Sequence, residues 1–314
     1  MLLVYRSNRA EWLAALLAEH LRAAPPSPWQ TLEVMVNTWP TSRWLSERLA
    51  LALGTSANVR FPFPGSRLRR LVSELLGEPT DQSDPWRADR LVWPILSSLP
   101  DLMCEREAQE LSRWLSAGRE APPEGCVDRS EWSLARALAD ALDDYALYRV
   151  EELTRWCRDR PGPSGSKANS WQALLARRLV ETIDSEPFGL RAHRVIEALQ
   201  AGYAHWPADA PPLRLFGISS LAPVQIELLK ALSGFGTVEI YLLTPGPDLW
   251  QRCVERRREL SEQMASKVGV DSEWLQRAPT LEARFGRLGA DFQQLLEGTG
   301  EAQLGESQDQ SLFH

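Results

Sequence analysis

Strand and helix signals alternate at both ends of the chain, and this order constrains the fold more than any other feature of the sequence. MLLVYRSN opens as a short apolar run that predicts a buried strand. A helical pattern follows in which Leu13, Leu16, Leu17 and Leu21 share one face, with Asn8 and Glu11 spaced for a capping box. That helix is expected to stop near Ala24, ahead of Pro25 and Pro26. LEVMVN at 32–37 predicts a second strand, and a second helix then runs to Gly54 with Leu45, Leu49 and Leu53 inward. Gly54 stands where a left-handed C-terminal cap is expected. The signals return in PLRLFGI (212–218), PVQIELLKALSGF (223–235) and TVEIYLLT (237–244). Strand–helix–strand order of this kind predicts a parallel α/β sheet.

The middle of the chain has a different texture. In ANVRFPFPGS (57–66), Pro62 and Pro64 exclude a central strand. From about 67 to 205 the patterns are amphipathic and helical, with almost no period-two alternation. Ser130 precedes a helix whose expected inward stripe is Leu134, Leu138, Leu142 and Tyr145, and RPGPSGSKANS (160–170) reads as a loop. The expected fold class is therefore α/β, with a core domain built from 1–75 and 206–314 and a helical domain, 76–205, inserted into it. A last helix is predicted with Leu281, Phe285, Leu288, Phe292 and Leu295 on one side, and the polar end GESQDQSLFH is expected to fray.

VMVNTWPTSRWL, at 34–45, raises the question of nucleotide use, because strand, turn and helix are the frame of a phosphate-binding loop. Such a loop needs glycines that let backbone N–H groups approach phosphates, and a lysine for their charge. The turn Asn37-Thr38-Trp39-Pro40-Thr41-Ser42 has neither, and its proline lacks a donor. The chain's lysines, Lys167, Lys230 and Lys267, follow no glycine-rich turn. ATP binding here is not expected. Hydrolytic chemistry is also thin: Asp140, Asp143 and Asp144 have no lysine or histidine beside them, no GxSxG elbow occurs, and His20, His193, His205 and His314 do not cluster.

Composition narrows the partners. Across 314 residues, 44% hydrophobic and 25% charged content are those of a soluble globular protein. No run approaches the roughly 20 apolar residues that span a bilayer, and the start lacks a long apolar signal region, so a cytoplasmic protein without a membrane partner is expected. Cys104, Cys126, Cys157 and Cys253 are scattered, which predicts isolated reduced thiols rather than zinc ligands or disulfides. A net charge of −7 argues against charge-driven binding of nucleic acid over the whole surface, but not against a local basic channel. Arginine supplies nearly all the positive charge and there are thirteen tryptophans; both side chains offer flat faces to bases.

DALDDYALYR (140–149) is the most informative helical stretch. Asp140 and Asp144 lie four apart, a like-charge spacing that costs a few tenths of a kcal/mol, roughly, unless offset. Arg136 can offset it as an ordinary surface pair. Alternatively the carboxylates face nucleic acid, where they repel phosphates but accept hydrogen bonds from exocyclic amino groups, with Arg149 available to a guanine edge or a phosphate. Trp39 is open to two readings as well, stacking on a base or burial against the inserted helices, whereas Arg43 is expected to be exposed.

The segments MLLVYRSNRAEWL, ANVRFPFPGS, DDYALYR, LFGISSLAPVQIELLKAL and FGRLGADFQQLL, in that order, resemble the N-terminal region of the RecC family, the gamma subunits of exodeoxyribonuclease V, the RecBCD helicase–nuclease. The likeness runs from Met1 to about Leu296. It implies a superfamily 1 helicase-like, P-loop-type core with an inserted all-helical domain and without the ATPase motifs. It also implies a non-catalytic subunit that splits the duplex, carries the 3′-tailed single strand and scans it for Chi in double-strand break repair by homologous recombination. No cofactor is then expected in this chain, ATP and Mg being used by RecB-like and RecD-like partner subunits. The family's Chi contacts match Asn37, Trp39, Arg43, Phe63, Arg69, Asp140, Ala141, Asp143, Asp144, Arg149 and Arg191. Enterobacterial members carry glutamine, threonine and glutamine at Asn37, Trp39 and Arg43, and tryptophan at Arg69, so strand binding is better supported than reading of the same Chi octamer. The readings from other classes are an active ATP-dependent DNA helicase and a protein-interaction scaffold without direct base reading.

Overall fold

The computed structural model describes residues 1–27, 29–80, 84–116, 127–158, 170–204, 206–207, 210–245, 289, 292–293, 295–296 and 308–311. The chain divides into two compact units: Met1–Leu71, Gly202–Leu221 and Ile226–His314 form one, and Val72–Ala201 with Ala222–Gln225 form the other.

The first unit is built on a parallel sheet. Its strands are β1 (Leu2–Ser7), β2 (Leu32–Met35), β3 (Val59–Arg60), β4 (Leu213–Phe216), β5 (Val238–Leu243) and β6 (Gln308–Ser311), in the order β3-β2-β4-β5-β1-β6. The parallel α/β sheet expected from the sequence is present. β1 and β2 are not neighbours, because β4 and β5 lie between them, and helix α1 (Ala10–Ala23) makes the crossover. Leu13, Leu17 and Leu21 of α1 are buried as the spacing predicts, together with Ala14 and Ala18, while Leu16 is only partly covered. The helix starts one residue later than expected, after Arg9, and the Asn8 capping box does not form. The Ser7 hydroxyl instead accepts from the Arg9 N–H at 3.0 Å. Helix α2 (Trp39–Leu53) ends at Gly54, whose φ of 80° lies in the left-handed region, as predicted. The proline-rich segment yields only β3, two residues long at the sheet edge, consistent with prolines that cannot donate to a ladder.

Both faces of the sheet are covered: Leu2, Val4, Met35, Leu215, Ile240 and Leu242 are buried on one, and Tyr5, Val34, Phe216 and Tyr241 pack with α1 and α2 on the other. The second face also buries charge. Arg214 and Glu239, paired in register across β4 and β5, meet at 2.8 Å with both side chains almost wholly buried. Tyr241 donates to the Glu239 carboxylate at 3.0 Å, which leaves its oxygen to accept from His20 Nδ1 at 2.8 Å. Burial, and then the adjacent carboxylate, push the Tyr241 phenol far above its ordinary value, so it keeps the proton that it donates.

Two expectations for the C-terminal region need correction. Four residues of the polar end expected to fray, Gln308–Ser311, form β6 beside β1. Edge pairing of this kind is made by backbone groups, so the hydrophobic pattern that announces an inner strand is missing from the sequence. In the last predicted helix Phe292 is buried, but Leu295 is exposed and Leu296 takes the inward position; Leu281, Phe285 and Leu288 lie outside the described residues. Helix α10 (Pro223–Ser233) connects β4 to β5, as the proline start predicts.

The second unit is helical among its described residues. After α3 (Pro64–Leu76), within which the boundary between the units falls, come α4 (Ala88–Met103), a short 3-10 turn at Arg106–Ala108, α5 (Gln109–Ser116), α6 (Arg129–Tyr148), α7 (Val150–Arg158), α8 (Trp171–Ile183) and α9 (Phe188–Gln200). Helix α4 packs on α6 and α8, and α7 on α8. The N-cap of α6 is Asp128, whose carboxylate accepts from the Ser130 N–H. Its buried stripe is Ala135, Ala139, Leu142 and Ala146: Leu142 is inward as expected, while the other three places are taken by the alanine one position on, with Leu134, Leu138 and Tyr145 half-buried at the margins. Small residues win the centre because neighbouring helices come very close: a Cβ on Gly189 of α9 would lie 2.5 Å from the Ala146 carbonyl oxygen. Of the loop expected at 160–170, all but Ser170 lies outside the described residues.

Candidate nucleic-acid interface

In the first unit the candidate residues gather at the carboxyl ends of β2 and β3, the edge of a parallel sheet where ligand crevices form. The Val36 N–H donates to the Pro62 carbonyl at 3.2 Å, so the two strand exits run side by side. Beyond them Trp39 and Phe63 meet edge to face, with ring centroids 5.3 Å apart and planes at 85°. Phe63 is half-buried, and Trp39 is 71% exposed. Asn37 is exposed beside it. Arg43, one turn into α2, is exposed and 3.3 Å from Glu47, a surface pair worth roughly half a kcal/mol or less that a phosphate can displace.

The helix start at this point has few free backbone donors. Pro40 has no N–H, the Thr41 N–H is taken by the Thr38 hydroxyl at 3.2 Å, and the Ser42 N–H by the Thr38 carbonyl at 3.1 Å. An anion cradle of backbone donors requires those groups to be free. The chemistry left at this edge is that of an indole face, an amide and a guanidinium.

In the second unit α6 carries the acidic candidates, and they do different things. Asp140, Ala141 and Asp144 are exposed, and Arg136 lies 3.6 Å from Asp140, the offsetting pair expected from the spacing. Asp143 is half-buried, and its carboxylate accepts from the Ala88 N–H at 3.2 Å, capping the start of α4 from another helix. The α4 N-cap residue, Arg87, makes no such bond itself. Asp143→Ala is therefore expected to cost about 1 kcal/mol of stability, as loss of a cap does, while Asp144→Ala leaves the urea midpoint unchanged; equal midpoints would remove the cap assignment. Arg149 closes α6, with its guanidinium 5.1 Å from the centre of the Tyr145 ring and 3.7 Å from Glu152.

Two arginines in the expected set occupy interior positions instead. Arg69 is 8% exposed and engaged within the protein. Arg191, 5% exposed, sits on α9 among Ser73, at 2.6 Å, the Glu78 carboxylate, and Asp84, at 3.9 Å. Neither guanidinium is presented to a ligand in this structure. Cys104 and Cys157 are free thiols, and burial, then Glu186, pushes Cys157 up to about 12; Cys126 and Cys253 lie outside the described residues. Among the described residues no group of three His, Cys, Asp or Glu side chains could hold a metal ion, and no helix is long and apolar enough to cross a membrane.

The family model described as RecC, N-terminal domain, matches residues 2–314. The chain belongs to the RecC family. Among curated proteins, RecC family members named RecBCD enzyme subunit RecC are similar to it: the one from Mycobacterium tuberculosis H37Rv is 31% identical over 316 residues, covering 91% of this chain and 27% of the relative. The Mycolicibacterium smegmatis protein is 30% identical over 286 residues (87% and 25%), and that of Escherichia coli K12 28% over 253 residues (79% and 22%). The chain thus spans about a quarter of the length of these relatives. The residues quoted for the RecC family resemblance fall into three groups by exposure: Asn37, Trp39, Arg43, Asp140, Ala141, Asp144 and Arg149 are exposed, Phe63 and Asp143 are half-buried, and Arg69 and Arg191 are buried.

Proposed function

We propose that this chain is the N-terminal part of the non-catalytic, DNA-binding subunit of a RecBCD-type helicase–nuclease, which holds the 3′-tailed single strand and scans it for Chi during recombinational repair. In this reading the first unit is a superfamily 1 helicase-like core without a working phosphate loop, and the helices from about 76 to 205 are its insertion. ATP and Mg serve RecB-like and RecD-like partners in a cytoplasmic complex, and this chain holds no cofactor of its own.

The observation that carries the reading is Trp39, largely exposed at the carboxyl end of β2 and braced by Phe63, where a nucleotide-binding relative of this fold would present backbone donors. Stacking on such an indole is tolerant of sequence and favourable by roughly 1–3 kcal/mol per base. Asn37 and Arg43 supply base and phosphate contacts beside it, and Asp140, Asp144 and Arg149 offer acceptors and a guanidinium on the helical unit. The structural duties of Asp143, Arg69 and Arg191 shorten the set of direct contacts.

The test is a reconstituted complex processing a library of duplexes, combined with crosslinking from photoreactive bases in the 3′-tailed strand. Crosslinks near 37–43 and along 140–149, together with a sequence at which cutting of that strand changes, are expected. A strand that crosslinks only to other parts of the complex would remove the reading.

A further inference from the structure

Between α4 and α8 the helical unit has an open cleft of about 500 Å³, a size that takes a small molecule. Its walls are polar: Ser97, Ser98 and Asp101 line it from α4 and Cys104 from the cap of that helix, with Arg178 and Glu181 opposite on α8. The hydroxyls and the thiol each have a single proton, and each gives it to the backbone of α4. Ser97 and Ser98 donate to the Pro94 carbonyl at 2.9 and 2.8 Å, and Cys104 to the Pro100 carbonyl at 3.5 Å. Lone pairs are what these side chains have left for a ligand. Asp101 and Glu181 are exposed carboxylates with no ion pair to any described residue. The Arg178 guanidinium is turned to other uses: one terminal nitrogen donates to Glu105 at 2.5 Å and the other is buried. The cleft therefore presents acceptors and negative charge, and few donors.

We propose that this cleft binds an aliphatic diamine or polyamine, with Asp101 and Glu181 each holding an ammonium group and the serine hydroxyls of α4 accepting from it. An ammonium has donors and no acceptor, which complements this lining. A phosphate or carboxylate ligand is repelled by the same two carboxylates. A hard metal ion wants about six oxygen ligands, and among the described residues no group of three His, Cys, Asp or Glu side chains could hold one. Carboxylates carried by two different helices suit two ammonium groups joined by a flexible chain. None of these residues belongs to the set assigned to DNA above, so the site stands or falls separately from strand binding.

Titration calorimetry of the 314-residue chain with putrescine, spermidine, butanediol and Mg at fixed ionic strength measures the binding. Cys104, an exposed free thiol in the lining, reports its place. An iodoacetamide with an aminobutyl tail is compared with one carrying a hydroxybutyl tail for the rate at which each alkylates Cys104, read by peptide mass spectrometry. Variants are Asp101→Asn, Glu181→Gln and, as a control on α4 outside the lining, Asp89→Asn, each checked by circular dichroism.

Putrescine and spermidine are expected to bind saturably, and butanediol and Mg not to compete with them. Asp101→Asn and Glu181→Gln should each weaken the amines about three- to fivefold, as loss of one exposed ion pair does, with Asp89→Asn unchanged. The amine-tailed reagent should label Cys104 faster than the hydroxyl-tailed one, and putrescine should remove the difference. That labelling is read on unsubstituted protein and does not depend on any variant folding. Equal labelling rates, or the same suppression by Mg at matched ionic strength, would reduce the effect to general electrostatics and overturn the site. Absence of amine binding overturns it too and leaves the proposed function standing. Amine-directed labelling that disappears in the reconstituted complex without added amine would mean that a partner's side chain fills the cleft, which overturns the free ligand equally.

Discussion

Arg191→Met is expected to destabilise the helical unit by about 3–5 kcal/mol, whatever it does to DNA binding. The guanidinium is buried and answers two carboxylates, Glu78 and Asp84, as well as the Ser73 hydroxyl. Asp84 also receives the Trp86 N–H at 3.0 Å, which places the fully buried Trp86 indole. Methionine matches much of the volume but removes the guanidinium that balances the Asp84 and Glu78 carboxylates, and the loss of that counter-charge beside a little-exposed Asp84 side chain is the source of the cost. Glu78 is partly exposed and can turn to solvent, which favours the lower end of the range. Urea unfolding followed by circular dichroism measures it, with Arg149→Met as the control: Arg149 is exposed, and its loss should fall within about 0.5 kcal/mol. A near-neutral Arg191→Met would mean that the cluster does not organise the fold, and would reopen Arg191 as a ligand contact.

A comparable effect is expected in the sheet unit. Glu239→Gln leaves the Arg214 guanidinium buried at the centre of the parallel sheet without a counter-charge, and replaces the carboxylate that accepts from Tyr241. The expected loss is about 3–5 kcal/mol. Arg214→Met should cost a similar amount, from the opposite uncompensated charge. The double variant Arg214→Met/Glu239→Leu should recover most of either loss, because a well-packed apolar pair often equals a buried ion pair in stability. A double variant no more stable than either single variant would show that the pair and its tyrosine contribute net stability beyond avoiding an unpaired charge, whereas strictly additive losses would mean that the two side chains are not coupled.

Both charge clusters show where sequence reading stops. The strands β1, β2, β4 and β5 were legible because short apolar runs bounded by turns have few alternatives, and Gly54 because a left-handed cap needs glycine. Arg191 and Arg214 carry no such mark: whether an arginine is buried depends on carboxylates brought to it from more than twenty residues away. Asp143 is similar. It reads locally as one of three surface carboxylates, and its duty as the cap of α4 exists only because α4 and α6 pack together. In α6 Leu142 is inward as expected, but the other three inward places fall one position later, since hydrophobicity favours leucine whereas close approach of helices favours alanine. Of the candidate site, the exposure of Arg43 and the lack of glycine and lysine at 37–43 were readable, whereas the exposure of Trp39 was not.

The central claim is that the carboxyl edge of β2 has exchanged a nucleotide for a DNA strand. A paired titration of this chain with single-stranded DNA and with ATP, before and after Trp39→Ala, tests it most directly. The account predicts DNA binding that weakens roughly five- to one-hundred-fold in the variant, from the loss of one stacked base, and no saturable response to ATP in either protein. Micromolar ATP binding abolished by substitution at Asn37, Trp39 or Arg43 would contradict it.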